Sequence, residues 1–289
     1  MKKLLSPLRY PGSKNKLIKY LKKVLDFNDF SPEVLVEPFV GGGSIFLNFI
    51  ENKWVNQAVI GDRDQLVYSF WKVLFEDPEY LISFIKRVKV NVDNFNYYKK
   101  IAKNEAHYSR KKLAEACLFL NRTSFSGILA NNAGPIGGKN QKSEYKIDCR
   151  FNKLLLINKI RDISHFSPKV TVLPYNWNLT INFALSKHKE KKLFFYLDPP
   201  FYRKAERLYR HYFSNKMIHV ALSKKLKSLK HKWILSYDRV REIKELYNPF
   251  IQRSFAFPYS INSPARRIAK EYFITSKNLR RPTSYFLAK

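Results

Sequence analysis

Val34-Leu35-Val36-Glu37-Pro38-Phe39-Val40-Gly41-Gly42-Gly43-Ser44 is the stretch on which the fold turns. Three apolar residues in a row suit a parallel strand buried on both faces. A glycine loop follows, and Ser44 is placed to cap a helix whose apolar positions run Ile45, Phe46, Leu47, Phe49 and Ile50. Ala58-Val59-Ile60 then predicts a second strand ending in Gly61-Asp62, with a helix expected from Gln65 to Leu74. Strand, glycine loop, helix, strand and acid in this order make a βαβ unit.

Further strands are expected at Val170–Leu173, Leu193–Leu197 and Trp233–Ser236, with alternating stretches near Phe255–Tyr259 and Tyr272–Thr275. Between Glu76 and His165 the pattern is helical and polar, broken by a Gly/Asn-rich loop from Asn131 to Gly138. The predicted class is therefore an α/β sheet interrupted by a mostly helical insertion.

The chain has 289 residues with 54 Lys+Arg against 23 Asp+Glu, a formal charge of +31. At 45% hydrophobic it can bury a large core, so disorder is excluded. Two cysteines, Cys117 and Cys149, cannot build a disulfide framework and point to an intracellular, cytoplasmic setting. Cys117 lies in an apolar stretch and is expected in the core. No apolar run approaches the roughly 18 residues that span a bilayer, so no membrane partner is expected. The excess charge is uneven: net +4 over residues 1–75, +8 over 76–165, +3 over 166–199 and +16 over 200–289. A polyanionic partner, nucleic acid above all, is implied.

Only nine glycines occur, so the triplet at 41–43 is informative. The loop lacks the Gly-Lys-Ser/Thr ending of a P-loop. It begins like a dinucleotide fingerprint, but Phe46 stands where a third small residue belongs, which favours a nucleoside ligand. Asp62, at the end of the next strand, is placed to accept hydrogen bonds from ribose hydroxyls.

Tyr196-Leu197-Asp198-Pro199-Pro200-Phe201-Tyr202 is the sharpest chemical signal. An apolar strand delivers a carboxylate into a rigid double proline flanked by aromatic rings. Proline fixes φ, so carboxylate, carbonyl and ring hold set relative positions. Such a group suits alkylation of an exocyclic base amine, a poor nucleophile whose lone pair is delocalised into the ring. Asp198 and the Pro199 carbonyl can each accept one N–H, and Phe201 can stack on the base. A duplex base must be flipped out to reach such a pocket. The six histidines show no ligand spacing, and no metal is expected.

Taken in order, these motifs resemble the Dam-like family of DNA adenine-N6 methyltransferases, which use S-adenosylmethionine. The likeness runs nearly end to end: Leu8-Arg9-Tyr10-Pro11-Gly12-Ser13-Lys14 is similar to the N-terminal cofactor motif. Val36 to Ser44 is similar to the methionine cradle, and Gly61-Asp62 to the ribose acid. Asn121-Arg122-Thr123-Ser124-Phe125-Ser126-Gly127 through Gly138 looks like the target-recognition segment, and Asp198-Pro199-Pro200-Phe201 like the catalytic tetrad. The resemblance implies a Rossmann-like methyltransferase sheet, with residues 1–75 and 166–289 forming the catalytic, cofactor-binding domain and 76–165 the target-recognition domain. It implies cofactor contacts at Tyr10, Lys14, Phe39, Gly41, Gly43, Asp62 and Asp198, and catalytic roles for Asp198, Pro199 and Phe201. Phe201 stands where the family usually has Tyr, and stacking needs only the ring face. Ser13 replaces a glycine, and Asn176 stands near a usual Asp, so Asn176 receives no cofactor role.

Double-stranded DNA is the expected partner. Arg122, Asn131, Lys139 and Gln141 are candidates for contacts around the recognition loop, Arg and Asn/Gln being suited to G and A edges. Arg203 and Arg207 are expected on phosphates, as are Lys204 and Arg210. A cognate restriction endonuclease and the oligomeric state are left open. So are cytosine-N4 and RNA-adenine targets, a non-catalytic binding protein of the same fold, and, more remotely, a nuclease using Asp62, Asp64 and Asp198.

Overall fold

In the computed structural model, residues 6–9, 14, 17–174, 176–203, 210–211, 215–248, 250–258, 268–280 and 282 are described. Their centre is a seven-stranded sheet. The strands are β1 (Val34–Glu37), β2 (Gln57–Gly61), β3 (Val170–Leu173), β4 (Leu193–Leu197), β5 (Lys232–Asp238), β6 (Ile251–Pro258) and β7 (Ile268–Thr275). Their spatial order is β3-β2-β1-β4-β5-β7-β6. The first five run parallel, whereas β7 is antiparallel to β5 and β6 is antiparallel to β7. This mainly parallel sheet is the Rossmann-like α/β class that the βαβ signal predicts.

The chain reaches β2 from β1 through α2 (Ser44–Glu51), with Val36 opposite Val59. Later it returns from β3 through α8 (Trp177–Lys187) to β4, on the other side of β1, where Val36 pairs Phe195. The order therefore reverses between β1 and β4, and their carboxyl ends, at Glu37 and Leu197, lie side by side. Open α/β sheets bind ligands in the crevice at such a reversal.

Alternation along each strand feeds two cores. Leu35, Ala58, Ile60, Phe194 and Tyr196 point into the larger one. Val34, Val36, Val59, Leu193, Phe195 and Leu197 point into the other, against α8, α9 (Lys216–Ser228) and α10 (Arg241–Leu246). Successive strand residues face opposite ways, which is why runs such as Leu193–Leu197 carry no polar position.

The larger core also takes in α1 (Ile18–Phe27), α3 (Gln65–Glu76), α4 (Pro78–Arg87), α5 (Val92–Lys103), α6 (Arg110–Thr123) and α7 (Lys153–Ser164). α6 packs on both α3 and α5, and α7 on α4. Residues 113–123 of α6 are all buried, Cys117 among them. The helices between β2 and β3 thus share one apolar core with a face of the sheet. No helix of the described residues is long and apolar enough to cross a membrane.

Two local expectations change. Ser44 is the first helical residue of α2; the cap position is Gly43, in the left-handed region at φ 66, with no side-chain capping bond. The tail stretches belong to longer strands, 251–258 and 268–275, paired as a hairpin. Tyr259 lies outside the described residues.

Candidate active site

At the end of β1 the Glu37 carboxylate turns back to accept the Phe46 N–H at 3.1 Å, satisfying an amide in the first turn of α2 that Ser44 does not reach. Between them the chain makes a tight loop. Gly43 N–H donates to the Val40 carbonyl at 2.7 Å, and the Trp71 indole donates to the Gly41 carbonyl at 2.9 Å. Gly43 must be glycine for two reasons. Its φ is positive, and a Cβ there would come within 2.4 Å of Phe46 and 2.6 Å of Trp71.

β2 supplies the next group. Asp62 accepts the Gly41 N–H through one carboxylate oxygen at 3.0 Å and the Asp64 N–H through the other at 2.9 Å. The expected ribose acid is therefore fastened to the glycine loop itself. Burial, and then the nearby Asp64 charge, pushes its carboxyl up to about 7 against the hydrogen bonds it accepts.

β4 delivers Asp198 to the same place. Its carboxylate lies 3.1 Å from Lys14 Nζ, joining residues 184 positions apart, and its side chain keeps 27% exposure while that of Lys14 keeps 7%. Burial raises the Asp198 carboxyl, and Lys14 opposes that. For Lys14, burial lowers the ammonium, but Asp198 and Glu271 together outweigh it and hold the pKa above its usual value. Glu37 is driven well above the carboxylate range, by burial first, with Asp198 and Asp62 adding to it against the Phe46 hydrogen bond. Three acids at the reversal thus interact with one another, and Lys14 is paired to one of them.

The loop after Asp198 is held from β5. Asp238 accepts the Tyr202 N–H at 2.7 Å and the Arg203 N–H at 3.2 Å, while the Tyr202 ring packs on His219 at 4.6 Å. Below it, the Tyr196 and Ser236 hydroxyls meet at 2.6 Å. Phe201 and Phe39 are both half-buried, Phe39 against the smaller core.

The pattern of a glycine loop and a carboxylate at adjoining strand ends has counterparts in known proteins. The profile of MethyltransfD12, the D12 class N6 adenine-specific DNA methyltransferases, matches residues 10–263. The chain belongs to this family. Its members act on adenine in DNA, so this methyltransferase is an adenine-specific DNA-modifying enzyme. Among its relatives is the "Type II methyltransferase M.MjaIII" of Methanocaldococcus jannaschii, 21% identical over 209 residues, covering 67% of this chain and 68% of the relative. Another is a "DNA N-6-adenine-methyltransferase" of Escherichia phage P1, 32% identical over 100 residues, covering 34% of this chain and 13% of that protein.

The structure brings Lys14, Gly41, Gly43, Asp62, Asp198 and Pro199 to one crevice of the methyltransferase. Tyr10, Lys204 and Arg207 lie outside the described residues. The residues expected to touch DNA divide into two groups. Asn131 and Lys139 are exposed on the loop after α6, and Arg203 is exposed beside Glu242, to which it donates at 2.7 Å. Arg122 and Gln141 are engaged internally. Arg122 is buried, and its guanidinium donates to the Arg150 carbonyl at 2.7 Å and the Pro7 carbonyl at 3.4 Å. Burial, with Arg9 and Arg150 nearby, lowers its pKa to about 10, so it stays charged at neutral pH. The Gln141 amide donates to the Ile136 and Gly138 carbonyls and accepts the Ile147 N–H, which closes a turn. Both side chains thus hold the segment after α6 together through its own backbone, Arg122 from a buried position and Gln141 from a half-exposed one. Arg210 departs from expectation in the same way. Its side chain is buried between Asp64 at 2.9 Å and Glu105 at 2.7 Å. Asp64, Glu105 and His211 offer ligand atoms within 4.8 Å of one another, but Arg210 already pairs with both carboxylates.

Four residues that hold this region together were not singled out from the sequence: Glu37, Asp238, Glu271 and Asn121. Asn121 accepts the Arg9 N–H and donates to the Arg9 carbonyl, both at 2.6 Å, and donates to Gly127 at 3.0 Å. It pins the segment leading to Lys14 onto the end of α6. Gly127, at φ 73, lies so close that a Cβ would meet the Arg9 carbonyl at 2.4 Å. For Asn121 the available signal was its place at the head of the Asn-Arg-Thr-Ser-Phe-Ser-Gly segment, and for Glu37 its place in the Val36–Ser44 stretch; Asp238 and Glu271 offered none.

Proposed function

We propose that this methyltransferase takes the methyl group of S-adenosylmethionine and transfers it to the N6 amine of an adenine flipped out of duplex DNA. The donor chemistry of the crevice suits that cofactor, which presents a sulfonium, an ammonium and ribose hydroxyls to a set dominated by carboxylates. Asp62 would accept from the ribose, Lys14 and Asp198 would adjoin the amino-acid end, and the Gly41–Gly43 backbone would lie against it, with Tyr10 and Phe39 flanking. The cofactor supplies an electrophilic methyl carbon; the protein supplies position and charge. Asp198 and the Pro199 carbonyl accept the two N6 hydrogens, which localises the lone pair on nitrogen, and Phe201 stacks on the base. Asn131, Lys139 and Arg203 contact DNA, and Arg207 is assigned to phosphates on its place in the sequence. The archaeal relative's type II name makes a cognate restriction endonuclease the partner to test for first.

The observation that carries this reading is the Lys14–Asp198 pair at the strand reversal, with the Asp198 carboxylate still 27% exposed beside the Asp62 loop. The test is transfer of labelled methyl from S-adenosylmethionine to duplex DNA, followed by digestion to nucleosides. Label in N6-methyladenine is expected. Label in N4-methylcytosine, or transfer only to RNA, overturns the target assignment, and undiminished transfer by Asp198→Ala overturns the mechanism.

A further inference from the structure

Glu271 enters the site from a direction that the mechanism above does not use. It lies on β7, the antiparallel strand beyond β5, opposite Asp238 in the ladder. Its carboxylate, 4% exposed, holds Lys14 Nζ at 3.0 and 3.2 Å, while Asp198 holds the same nitrogen at 3.1 Å from the other side. One ammonium therefore stands between two carboxylates. Lys14 and Asp198 as ions cancel; with Glu271 the trio carries one negative charge. Burying an uncompensated charge is costly, and a glutamine carbonyl would accept from Lys14 without that cost.

The chemistry of amine alkylation gives the extra charge a purpose. As the N6 lone pair forms the new N–C bond, the electron pair of the breaking C–S bond stays on sulfur, and N6 becomes cationic. One N6 proton then leaves to Asp198 or to water. A carboxylate fully paired with Lys14 is a weak acceptor for that cation. We infer that Glu271 is a positioning residue that shares the Lys14 ammonium, so that Asp198 remains a strong hydrogen-bond acceptor and the site stays negative where positive charge develops. The inference rests on the reading of Asp198 as the acceptor for the target amine.

The test is steady-state methylation at saturating DNA with the cofactor varied, across pH, for wild type, Glu271→Gln, Glu271→Asp and Asp198→Ala. For Glu271→Gln, kcat is expected to fall about 10- to 100-fold, with the cofactor KM moving less than about threefold. Loss of a neighbouring negative charge also favours the ionised form of Asp198, so the acid limb of kcat should move to lower pH. Lys14, Glu37 and Tyr196 face Asp198, and Asp238 faces Glu271; none of these changes in the variant. Glu271→Asp keeps the charge one methylene farther away and should recover most of kcat with a smaller shift. Should Glu271→Gln fail to fold, Glu271→Asp alone carries the test through that shift. An acid limb that stays in place, or equal loss in Gln and Asp variants, shows that Glu271 merely ties β7 to the N-terminal segment and overturns the inference. Wild-type rates from Asp198→Ala would instead overturn the parent reading.

Discussion

The crevice and the loop after α6 put polar side chains to contrasting uses. At the crevice, carboxylates are buried in a chain of net charge +31, each fixed by strand ends and backbone amides: Glu37 by Phe46, Asp62 by Gly41 and Asp64. At the loop, two of the four polar side chains expected to meet DNA are turned inward onto backbone carbonyls, while Asn131 and Lys139 stand in solvent. Chemistry needs groups whose position is settled before the substrate arrives. Reading a base needs groups free to meet it, mounted on a frame that other groups stiffen. Residue type alone does not tell the inward-turned side chains from the exposed ones; their hydrogen bonds to the backbone do.

The comparison can be broken most sharply at Asp198. Asp198→Ala should lower the methyl-transfer rate by about a thousandfold or more, since it removes both the amine acceptor and the partner of Lys14. Gly43→Ala comes next: left-handed strain and the collision with Phe46 and Trp71 should cost about 2–4 kcal/mol and weaken cofactor binding, as read by denaturant unfolding and calorimetric titration. Arg122→Ala should cost about 2–3 kcal/mol, because it removes a buried charged donor and its hydrogen bonds to two backbone carbonyls. Lys139→Ala and Asn131→Ala should each change stability by less than about 0.5 kcal/mol. If Arg122→Ala leaves stability intact and alters only sequence preference, the division drawn in the loop is wrong.

A gentler effect concerns pH. Asp62 is raised to about 7, so it gains its charge as pH climbs through that value, and an ionised carboxylate accepts from both ribose hydroxyls. Cofactor affinity should therefore increase between about pH 6 and 8, and Asp62→Asn should flatten that rise in a binding titration. The smallest expected change is in salt dependence. Lys139→Ala should reduce the slope of log K against log salt for DNA by roughly one phosphate contact, about 0.9.

Much of the architecture was legible in the sequence because the signals are local. Val34–Val36 and Leu193–Leu197 are apolar on every residue, as strands covered on both faces must be, and Asp62 and Asp198 stand at the strand ends where such a sheet opens. What stayed hidden depends on pairing across long separations. Glu271 reads as one polar residue in an alternating strand until β7 is seen to run antiparallel beside β5, which brings it to a lysine 257 positions earlier. Asp238 looks like an ordinary strand-end acid until the backbone of Tyr202 and Arg203 folds onto it. Arg122 and Gln141 have the composition of base readers, and only the structure reveals that both hydrogen-bond to nearby backbone carbonyls.

The separation between Lys14 and Glu271 also bears on synthesis. A chain emerging from the ribosome can form β1, α2 and β2 early, since those contacts are close in sequence. The Lys14 side chain, however, meets its second carboxylate only after β7 has left the exit tunnel and paired with β5. Ribosome-bound chains and fragments ending before residue 271 would have the glycine loop and Asp198 but an incompletely charged centre. Competence to modify DNA would then arrive late in translation, as a property of the finished sheet.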